Sequence, residues 1–170
     1  NSTLFVCGII LVQLTACDKN RDEPGITKDP NIVNITNNSF ETGGSSQDPK
    51  GWKTTADGTN QDADFTEVGG RIDSFCLTHS KNSSYKVFTF QEIENLDTGY
   101  YSLTAWVKNG GGQNACYISA SDYGDSLRMT SLPVSATWTK VIIRGIHVTN
   151  GSCKIGLYSD ALPGNWCRID

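Results

Sequence analysis

The sequence is poor in charge, in histidine and in long apolar runs. Charged residues make up 19% of its 170 residues, and 14 basic against 18 acidic residues give a formal net charge of −4. Without a block of Lys and Arg, the chain lacks the electrostatic footprint of a nucleic-acid binder. Two histidines leave little material for a multi-histidine metal centre. The length excludes folds that need about 250 residues, such as a (β/α)₈ barrel.

The N-terminal segment is the one strongly apolar stretch. Residues 4–14 are apolar apart from Gln13 and fall short of the roughly 20 residues that span a bilayer. The stretch ends in Leu-Thr-Ala-Cys, which resembles the lipobox of bacterial lipoproteins. This predicts a lipoprotein signal over residues 1–17, lipidation of Cys17, and membrane attachment through that anchor alone. The alternative is a buried or membrane-surface helix that ends in a cysteine.

Residues 18–31 are charged, contain two prolines and show no periodicity. This composition is typical of a flexible linker. The early Asp and Glu resemble the acidic signals that follow the lipidated cysteine in surface-exported lipoproteins of the Bacteroidetes. The resemblance implies a lipid-anchored protein displayed on the outer membrane of the cell, and we expect that localisation.

From residue 32 to residue 170 the apolar pattern has period two. Short apolar runs alternate with Gly, Asn, Asp and Ser, and no window of eleven or more residues keeps a helical stripe. Eight or nine strands in about 140 residues match the size of a jelly roll. The predicted fold class is therefore all-β, a β-sandwich jelly roll. The apolar runs are 32–40, 75–80, 85–93, 100–108, 115–121, 126–132, 138–148, 153–158 and 166–170.

Alternation within residues 100–108 divides their side chains between two faces. Trp106 lies on the polar face beside hydroxyls and Lys108, where a large aromatic has no packing role. The other face belongs in the core between the sheets. That inward face consists of Tyr101, Leu103, Ala105 and Val107.

A hairpin would place a second aromatic beside Trp106. If residues 110–113 form its loop, Trp106 lies opposite Tyr117 and Val107 lies opposite Cys116. Two aromatics on a polar sheet face make a platform on which the C–H face of a sugar stacks, while polar side chains bind its hydroxyls. The alternative is that these rings are ordinary core or edge residues, as we expect for Trp52 and Trp138. The candidate sugar-binding residues are Trp106, Tyr117, Tyr158 and Trp166 for stacking, and His79, Lys108, Gln113, Asn114, Asp160 and Asn165 for hydrogen bonds.

A series of short motifs, in this order, resembles carbohydrate-binding modules of families 4, 9 and 22. The resemblance covers nearly all of residues 32–170 and implies a galactose-binding-domain-like jelly roll that binds polysaccharide without cleaving it. The motifs are 38–41 (NSFE), 51–52 (GW), 101–107 (YSLTAWV), 138–141 (WTKV), 155–158 (IGLY) and 166–170 (WCRID).

A second set of motifs resembles one particular group of these modules. Residues 111–117 (GGQNACY), 158–160 (YSD) and 164–167 (GNWC) are similar to modules at the N-terminus of lipid-anchored Bacteroidetes glycoside hydrolases, particularly endo-β-1,4-galactanases acting on arabinogalactan. This implies plant cell-wall polysaccharide as the partner and a module that targets an attached hydrolase. Such modules normally continue beyond the last motif, so we expect a fragment of a longer, lipid-anchored parent protein. We expect the module itself to be monomeric.

The same resemblance implies one structural Ca²⁺ between the first and last strands. By motif position, Glu41 and Asp170 would supply carboxylate oxygens, with backbone carbonyls completing the shell. Asp73 precedes the next apolar run, near where another ligand would be expected. The alternative is that these residues are ordinary strand-end acids.

Four cysteines remain once Cys7 is assigned to the signal and Cys17 to the lipid. An even number in an exported protein suggests two disulfides, with three connectivities open. Alternation places three of the four on core faces and Cys76 out of step, so a single bridge among the inward three is an equal alternative. The inward three are Cys116, Cys153 and Cys167.

Intrinsic catalysis has little support in the sequence. Glu92 and Glu94 share a face, but they are spaced along one strand in a pattern typical of a solvent face rather than of a carboxylate pair across a cleft. A Gly-x-Ser-x-Gly nucleophile motif is missing. We therefore expect a non-catalytic carbohydrate-binding module. An adhesion or protein-interaction β-sandwich is the alternative, and the sequence does not identify the sugar.

Overall fold

The computed structural model describes residues 12–17, 32–56 and 62–170. In this part of the chain there is no helix, and therefore none long and apolar enough to cross a membrane. The strands are β1 (Gln13–Cys17), β2 (Ile32–Val33), β3 (Lys53–Ala56), β4 (Asp64–Val68), β5 (Phe75–Ser80), β6 (Tyr85–Glu94), β7 (Gly99–Asn109), β8 (Gln113–Ser121), β9 (Arg128–Ser131), β10 (Ser135–Val148), β11 (Ser152–Ala161) and β12 (Trp166–Ile169).

The strands form two antiparallel sheets. One sheet has seven strands in the order β2-β1-β7-β12-β5-β4, with β10 also paired to β7. The other has five strands in the order β3-β6-β11-β8-β9. The two sheets pack face to face, so the predicted β-sandwich jelly roll is confirmed.

The core lies between the inward faces of the two sheets. The alternation predicted for residues 100–108 is confirmed, since Tyr101, Leu103, Ala105 and Val107 are all buried. Ile118 and Leu157 are buried in the same cluster from the five-stranded sheet. Each buried Leu, Ile or Val side chain contributes about 1.5–3 kcal/mol relative to an exposed position, which makes this apolar contact the main force holding the sheets together.

The predicted hairpin between residues 100–108 and 115–121 is wrong. β7 belongs to the seven-stranded sheet and β8 to the five-stranded sheet, so the loop between them crosses from one layer to the other. Gly111 and Gly112 take positive φ angles of 83° and 81° in that loop, a conformation that L side chains rarely adopt. Trp106 consequently lies opposite Lys140 rather than Tyr117.

Strand β1 falls inside the segment that the sequence assigns to a signal. β1 pairs with residues 100–104 of β7. β12 pairs with residues 107–109 of the same strand, so β1 and β12 lie one after the other along one edge of β7. Leu14 is fully buried in the core. Residues 1–11 and the predicted linker lie outside the described residues, and lipidation of Cys17 stays a prediction.

Candidate functional site

The outer face of the five-stranded sheet carries four aromatic rings, which we call the aromatic strip: Phe88, Phe90, Tyr117 and Tyr158. Phe88 on β6 lies opposite Tyr158 on β11, which in turn lies opposite Tyr117 on β8. The two tyrosine rings stack with centroids 5.0 Å apart, and the two phenylalanine rings stack at 5.1 Å. Because all four rings are partly exposed, they form an apolar surface across three strands.

Gly156 on β11 allows the rings to lie close to the sheet. A Cβ atom at this position would stand 2.6 Å from Cε2 of Phe88 and 2.8 Å from Cβ of Phe90. Both distances are shorter than real Cβ contacts, so only glycine lets the Phe88 ring rest on the backbone of β11. The missing side chain at Gly156 therefore leaves a depression in the outer face of the sheet at this point.

A shallow cavity of about 280 Å³ opens over the phenylalanine end of the strip. This volume is near the lower limit for sites that bind small molecules. Its partly open form suits a short stretch of a chain molecule better than an enclosed metabolite. Its lining includes Thr55, Lys86, Phe88, Phe90, Lys154 and Tyr158.

Polar side chains fix one border of the strip. The amide of Asn114 donates a hydrogen bond of 3.0 Å to Asp160 Oδ1, and Lys86 Nζ lies 3.3 Å from Asp160 Oδ2. The Asn114 hydrogen bond, and then the Lys86 interactions, lower the pKa of Asp160 and keep it ionised. An ionised carboxylate beside an amide and an ammonium can accept and donate hydrogen bonds in the plane of a stacked ring.

The opposite border carries a second charged group. Lys154 Nζ lies 2.6 Å from Asp122 Oδ2, 3.6 Å from Glu92 Oε1 and 5.4 Å from the centroid of the Phe90 ring. Glu92 also accepts a hydrogen bond from Lys53. Glu92 is exposed among lysines, which confirms the solvent face predicted for it.

Four of the predicted sugar-binding residues are brought together on this face: Tyr117, Tyr158, Asn114 and Asp160. Phe88 and Phe90 were missed by the sequence reasoning. Their signal was available, because alternation in β6 places both on the polar face with Lys86 and Glu92.

Gln113 and Asn165 serve the loops that link the sheets. Gln113 Nε2 donates a hydrogen bond of 2.8 Å to the carbonyl of Trp166, and Asn165 Nδ2 donates one of 2.7 Å to the carbonyl of Gly112. Both amide nitrogens therefore fasten the crossing between β7 and β8 to the start of β12. Neither lines the cavity at the aromatic strip.

The prediction that His79 binds sugar is wrong, because His79 does not reach the surface. The residue is fully buried, with Nδ1 2.9 Å from Ser159 Oγ and Nε2 2.9 Å from Thr89 Oγ1. Burial lowers the pKa of His79 to about 3, so the ring is neutral. Because the inner residues of β5 are buried on both faces, alternation could not tell which of its side chains reach solvent.

The remaining predicted residues, Trp106, Lys108 and Trp166, lie on the outer face of the seven-stranded sheet. This is the opposite side of the sandwich from the aromatic strip, so the single platform predicted from Trp106 and Tyr117 does not exist. Each tryptophan of this second face is covered by a cation, which competes with a stacking sugar. The pairs, with the distance from the cation to the ring centroid, are Arg71–Trp106 (3.7 Å), Lys108–Trp138 (4.8 Å) and Arg168–Trp166 (5.4 Å).

The two predicted calcium ligands lie near one loop. Glu41 Oε1 accepts a hydrogen bond of 2.7 Å from the Phe75 amide, and Asp170 accepts one from the Arg71 amide. Burial raises the pKa of Asp170 to about 6, and the charges of Glu41 and Asp73 add to the rise. Asp170 Oδ1 is buried without a hydrogen-bond partner among the described residues. The described residues hold no group of three or more His, Cys, Asp or Glu side chains arranged for a metal ion.

Comparisons with known proteins place the fold. No protein-family model and no curated protein matches the sequence. Among solved structures, TmCBM61, determined in complex with β-1,4-galactotriose, is 23% identical with a TM-score of 0.66, covering 80% of this chain and 92% of its own.

Two further structures are more distant in sequence. A family 16 carbohydrate-binding module is 14% identical with a TM-score of 0.56, covering 80% of this chain and 94% of its own. A CBM4 structure is 12% identical with a TM-score of 0.54, covering 81% of this chain and 96% of its own. The described chain thus has the β-sandwich fold of carbohydrate-binding modules.

Proposed function

We propose that the chain is a non-catalytic carbohydrate-binding module that holds a polysaccharide on the outer face of its five-stranded sheet. The aromatic strip is the observation that carries this proposal. Sugar rings present an apolar C–H face that stacks on aromatic rings, and the strip offers four such rings side by side. Asp160 and Asn114 on one border and Lys154 on the other supply acceptors and donors for the hydroxyls.

The strip determines how much of a sugar chain is bound. Neighbouring strands lie about 4.8 Å apart, so the strip from β6 to β8 extends about 10 Å across the sheet. A polysaccharide running across the strands would therefore stack a short stretch, and the rest of the chain would stay in solvent. The cavity is partly open and the rings are partly exposed, so the surface suits an internal segment of a long chain.

The expected affinity is modest. Each aromatic contact contributes about 0.5–1.5 kcal/mol beyond its buried area, and part of this gain is lost when the chain is ordered. We expect dissociation constants on the order of 10 μM to 1 mM for an isolated domain. A weak module is useful when it is tethered, because tethering raises the local concentration of an attached enzyme at the polysaccharide.

The ligand class that we propose is plant cell-wall β-1,4-galactan or arabinogalactan. The motif resemblance to modules of galactanases supports this, and so does the fold shared with TmCBM61, which was solved with β-1,4-galactotriose. In the same proposal, a lipid on Cys17 anchors the protein at the outer membrane and the module targets an attached glycoside hydrolase.

A structural Ca²⁺ held by Glu41 and Asp170 belongs to the proposal. The unpartnered, buried Asp170 Oδ1 supports it, since a hard cation would compensate that oxygen, and Ca²⁺ prefers oxygen ligands. The ion would neutralise the mutual repulsion of the Glu41 and Asp170 carboxylates and join the two ends of the domain.

Affinity electrophoresis in gels that contain β-1,4-galactan tests the site. We expect the wild type to be retarded, Tyr158→Ala to lose retardation, and Trp106→Ala, its counterpart on the opposite sheet, to keep it. The reverse pattern would move the site to the seven-stranded sheet. A wild type that binds neither galactan nor any glycan on an array would support the adhesion or protein-interaction alternative instead.

A further inference from the structure

Two cysteines from opposite sheets meet in the core. Cys116 on β8 and Cys167 on β12 both contact Ser159 on β11, with Ser159 Oγ 3.7 Å from Cys116 Sγ and 3.2 Å from Cys167 Sγ. Both sulfurs therefore lie against the same hydroxyl group, and in the structure all four described cysteines of the sandwich are free thiols. All three residues are buried.

A chain of hydrogen bonds fixes the direction of the protons at this contact. Thr89 donates its hydroxyl proton to Asp64 Oδ2 at 2.6 Å, so Thr89 Oγ1 must accept from His79 Nε2. His79 Nδ1 is then unprotonated and accepts from the Ser159 hydroxyl. Ser159 Oγ therefore keeps its hydrogen bond to His79 whether or not a thiol also donates to it. Loss of the thiol protons on oxidation would leave that hydrogen bond intact.

We propose that Cys116 and Cys167 form a disulfide that joins the two sheets when the protein folds in an oxidising compartment. Among the described cysteines, they are the two whose sulfurs approach one shared hydroxyl, that of Ser159, from opposite sheets. Cys76 lies instead against Glu67 and Thr78, which are outside this cluster.

Cys153 has its own surroundings on the other side of the core. Its thiol hydrogen-bonds to the carbonyl of Lys154, and Asp122 is the charged group that acts on it. Burial raises the pKa of Cys153 to about 12 and that of Cys76 to about 11, and the pKa of Cys167 is raised as well, so the thiols of the folded domain differ in their neighbours rather than in reactivity. Within the described chain, neither Cys153 nor Cys76 contacts a second sulfur, so we expect both to stay reduced.

The bond forms by thiol–disulfide exchange with an acceptor disulfide, such as that of an oxidoreductase or of oxidised glutathione. The thiolate of one cysteine attacks the acceptor and releases one acceptor thiol. The thiolate of the second cysteine then attacks the mixed disulfide, closes the Cys116–Cys167 bond and releases the second acceptor thiol. Two electrons and two protons pass from the protein to the acceptor. Because both sulfurs are buried in the native state, the exchange belongs to folding rather than to the folded domain.

The position of this bond matters for the aromatic strip. Cys116 precedes Tyr117 on β8, and Ser159 follows Tyr158 on β11, so the bond lies directly beneath the stacked tyrosines. It would fasten the strand that carries Tyr117 to the opposite sheet and close a loop of roughly 50 residues.

Oxidative refolding of the full chain tests the proposal. The reduced, unfolded protein is refolded with a mixture of reduced and oxidised glutathione, free thiols are alkylated, and peptides are mapped by mass spectrometry. We expect a cross-linked peptide pair containing Cys116 and Cys167, about 2 Da lighter than the reduced pair. Cys76 and Cys153 should be alkylated. Alkylation of Cys116 and Cys167, or a different cross-link, would overturn the proposal.

Matched variants distinguish the loss of this disulfide from a general folding defect. Cys116→Ser and Cys167→Ser should each lose the cross-link, whereas Cys76→Ser and Cys153→Ser should keep it. The oxidised wild type should also unfold at a higher urea concentration than the same protein reduced, and equal midpoints would count against the bond. These readouts involve no sugar, so their failure leaves the proposed polysaccharide binding untouched, and the reverse also holds.

Discussion

Tyr117 and Tyr158 lie side by side on adjacent strands, with ring centroids 5.0 Å apart and ring planes inclined by 25°. Each ring limits the rotation of the other, so a sugar that stacks on them meets side chains that are already ordered. Little conformational entropy is then lost on binding, which matters for a surface whose individual contacts are weak. The stacked Phe88–Phe90 pair, at 5.1 Å and 13°, is restrained in the same way.

Gly156 sets the depth of the binding face, and its substitution tests that role. We expect Gly156→Ala to lower the free energy of unfolding by about 1–3 kcal/mol, because the new Cβ meets the Thr89 carbonyl oxygen at 2.6 Å as well as the Phe88 ring. The displaced ring should also weaken retardation in galactan gels. Urea unfolding measures the first effect. Gly99→Ala is the control, since its Cβ would meet nothing closer than 3.9 Å. Equal losses for the two variants would contradict the assigned role.

His79 should make stability depend on pH. The pKa of His79 in the folded protein is about 3, below the ordinary 6.5. Between these two pH values, the imidazole is protonated in the unfolded chain and neutral in the folded chain. Stability contributed by neutral His79 is complete above pH 6.5 and falls by about 1.4 kcal/mol per pH unit between roughly pH 6.5 and 3. The raised pKa of Asp170 contributes the opposite slope between about pH 4 and 6. The His79 contribution is therefore measured as the difference between the wild type and His79→Gln in urea unfolding from pH 7 to 4.5. His79→Gln should show a smaller slope, and an unchanged slope would refute the prediction.

Calcium should stabilise the domain through Asp170. We expect CaCl₂ to raise the thermal midpoint of the wild type and EDTA to lower it, since an ion that binds only the folded state stabilises it by mass action. Asp170→Asn should abolish the response. Glu94→Gln removes a negative charge at an exposed position and should respond like the wild type. A wild type indifferent to calcium would show that Glu41 and Asp170 are ordinary strand-end acids.

Leu14 distinguishes the two roles open to the N-terminal segment. If β1 is a lasting part of the fold, Leu14→Ala should lower the free energy of unfolding by about 2–5 kcal/mol, because the side chain is fully buried. Gln13→Ala, at a half-buried neighbouring position, is the control. A chain that begins at residue 18 should be destabilised at least as much. If it unfolds like the full chain, β1 is dispensable, as expected for residues that leave with a lipoprotein signal.

The sequence predicts which face of a sheet a side chain occupies better than it predicts which strands pair with each other. Alternation correctly turned Leu103 and Ile118 inward, because period two is a property of the single strand and needs no knowledge of its partner. The partner of β7 could not be read in the same way. Two glycines in left-handed conformations let the chain cross to the other sheet, and this crossing moved Trp106 and Tyr117 to opposite sides of the molecule.

Phe88 and His79 mark the two kinds of error at the site. Phe88 obeyed the same alternation that exposed Trp106 and could have been predicted from it. His79 could not, because β5 is covered on both faces and its polar side chains are satisfied inside the protein. A polar residue in such a strand indicates solvent exposure only when a buried partner has been excluded.

The hydrogen-bonded chain from Ser159 through His79 and Thr89 to Asp64 has a consequence for how the sandwich finds its alignment. Apolar side chains on β5 would tolerate a slip, since both faces of the strand are buried. A slip of one residue would move His79 away from Ser159 and Thr89 and would leave the buried imidazole without its two hydrogen-bond partners. Buried polar groups without partners are costly, so misaligned pairings are penalised more than the apolar pattern alone would penalise them. The chain of polar groups thus selects one strand register among several that hydrophobic burial would accept.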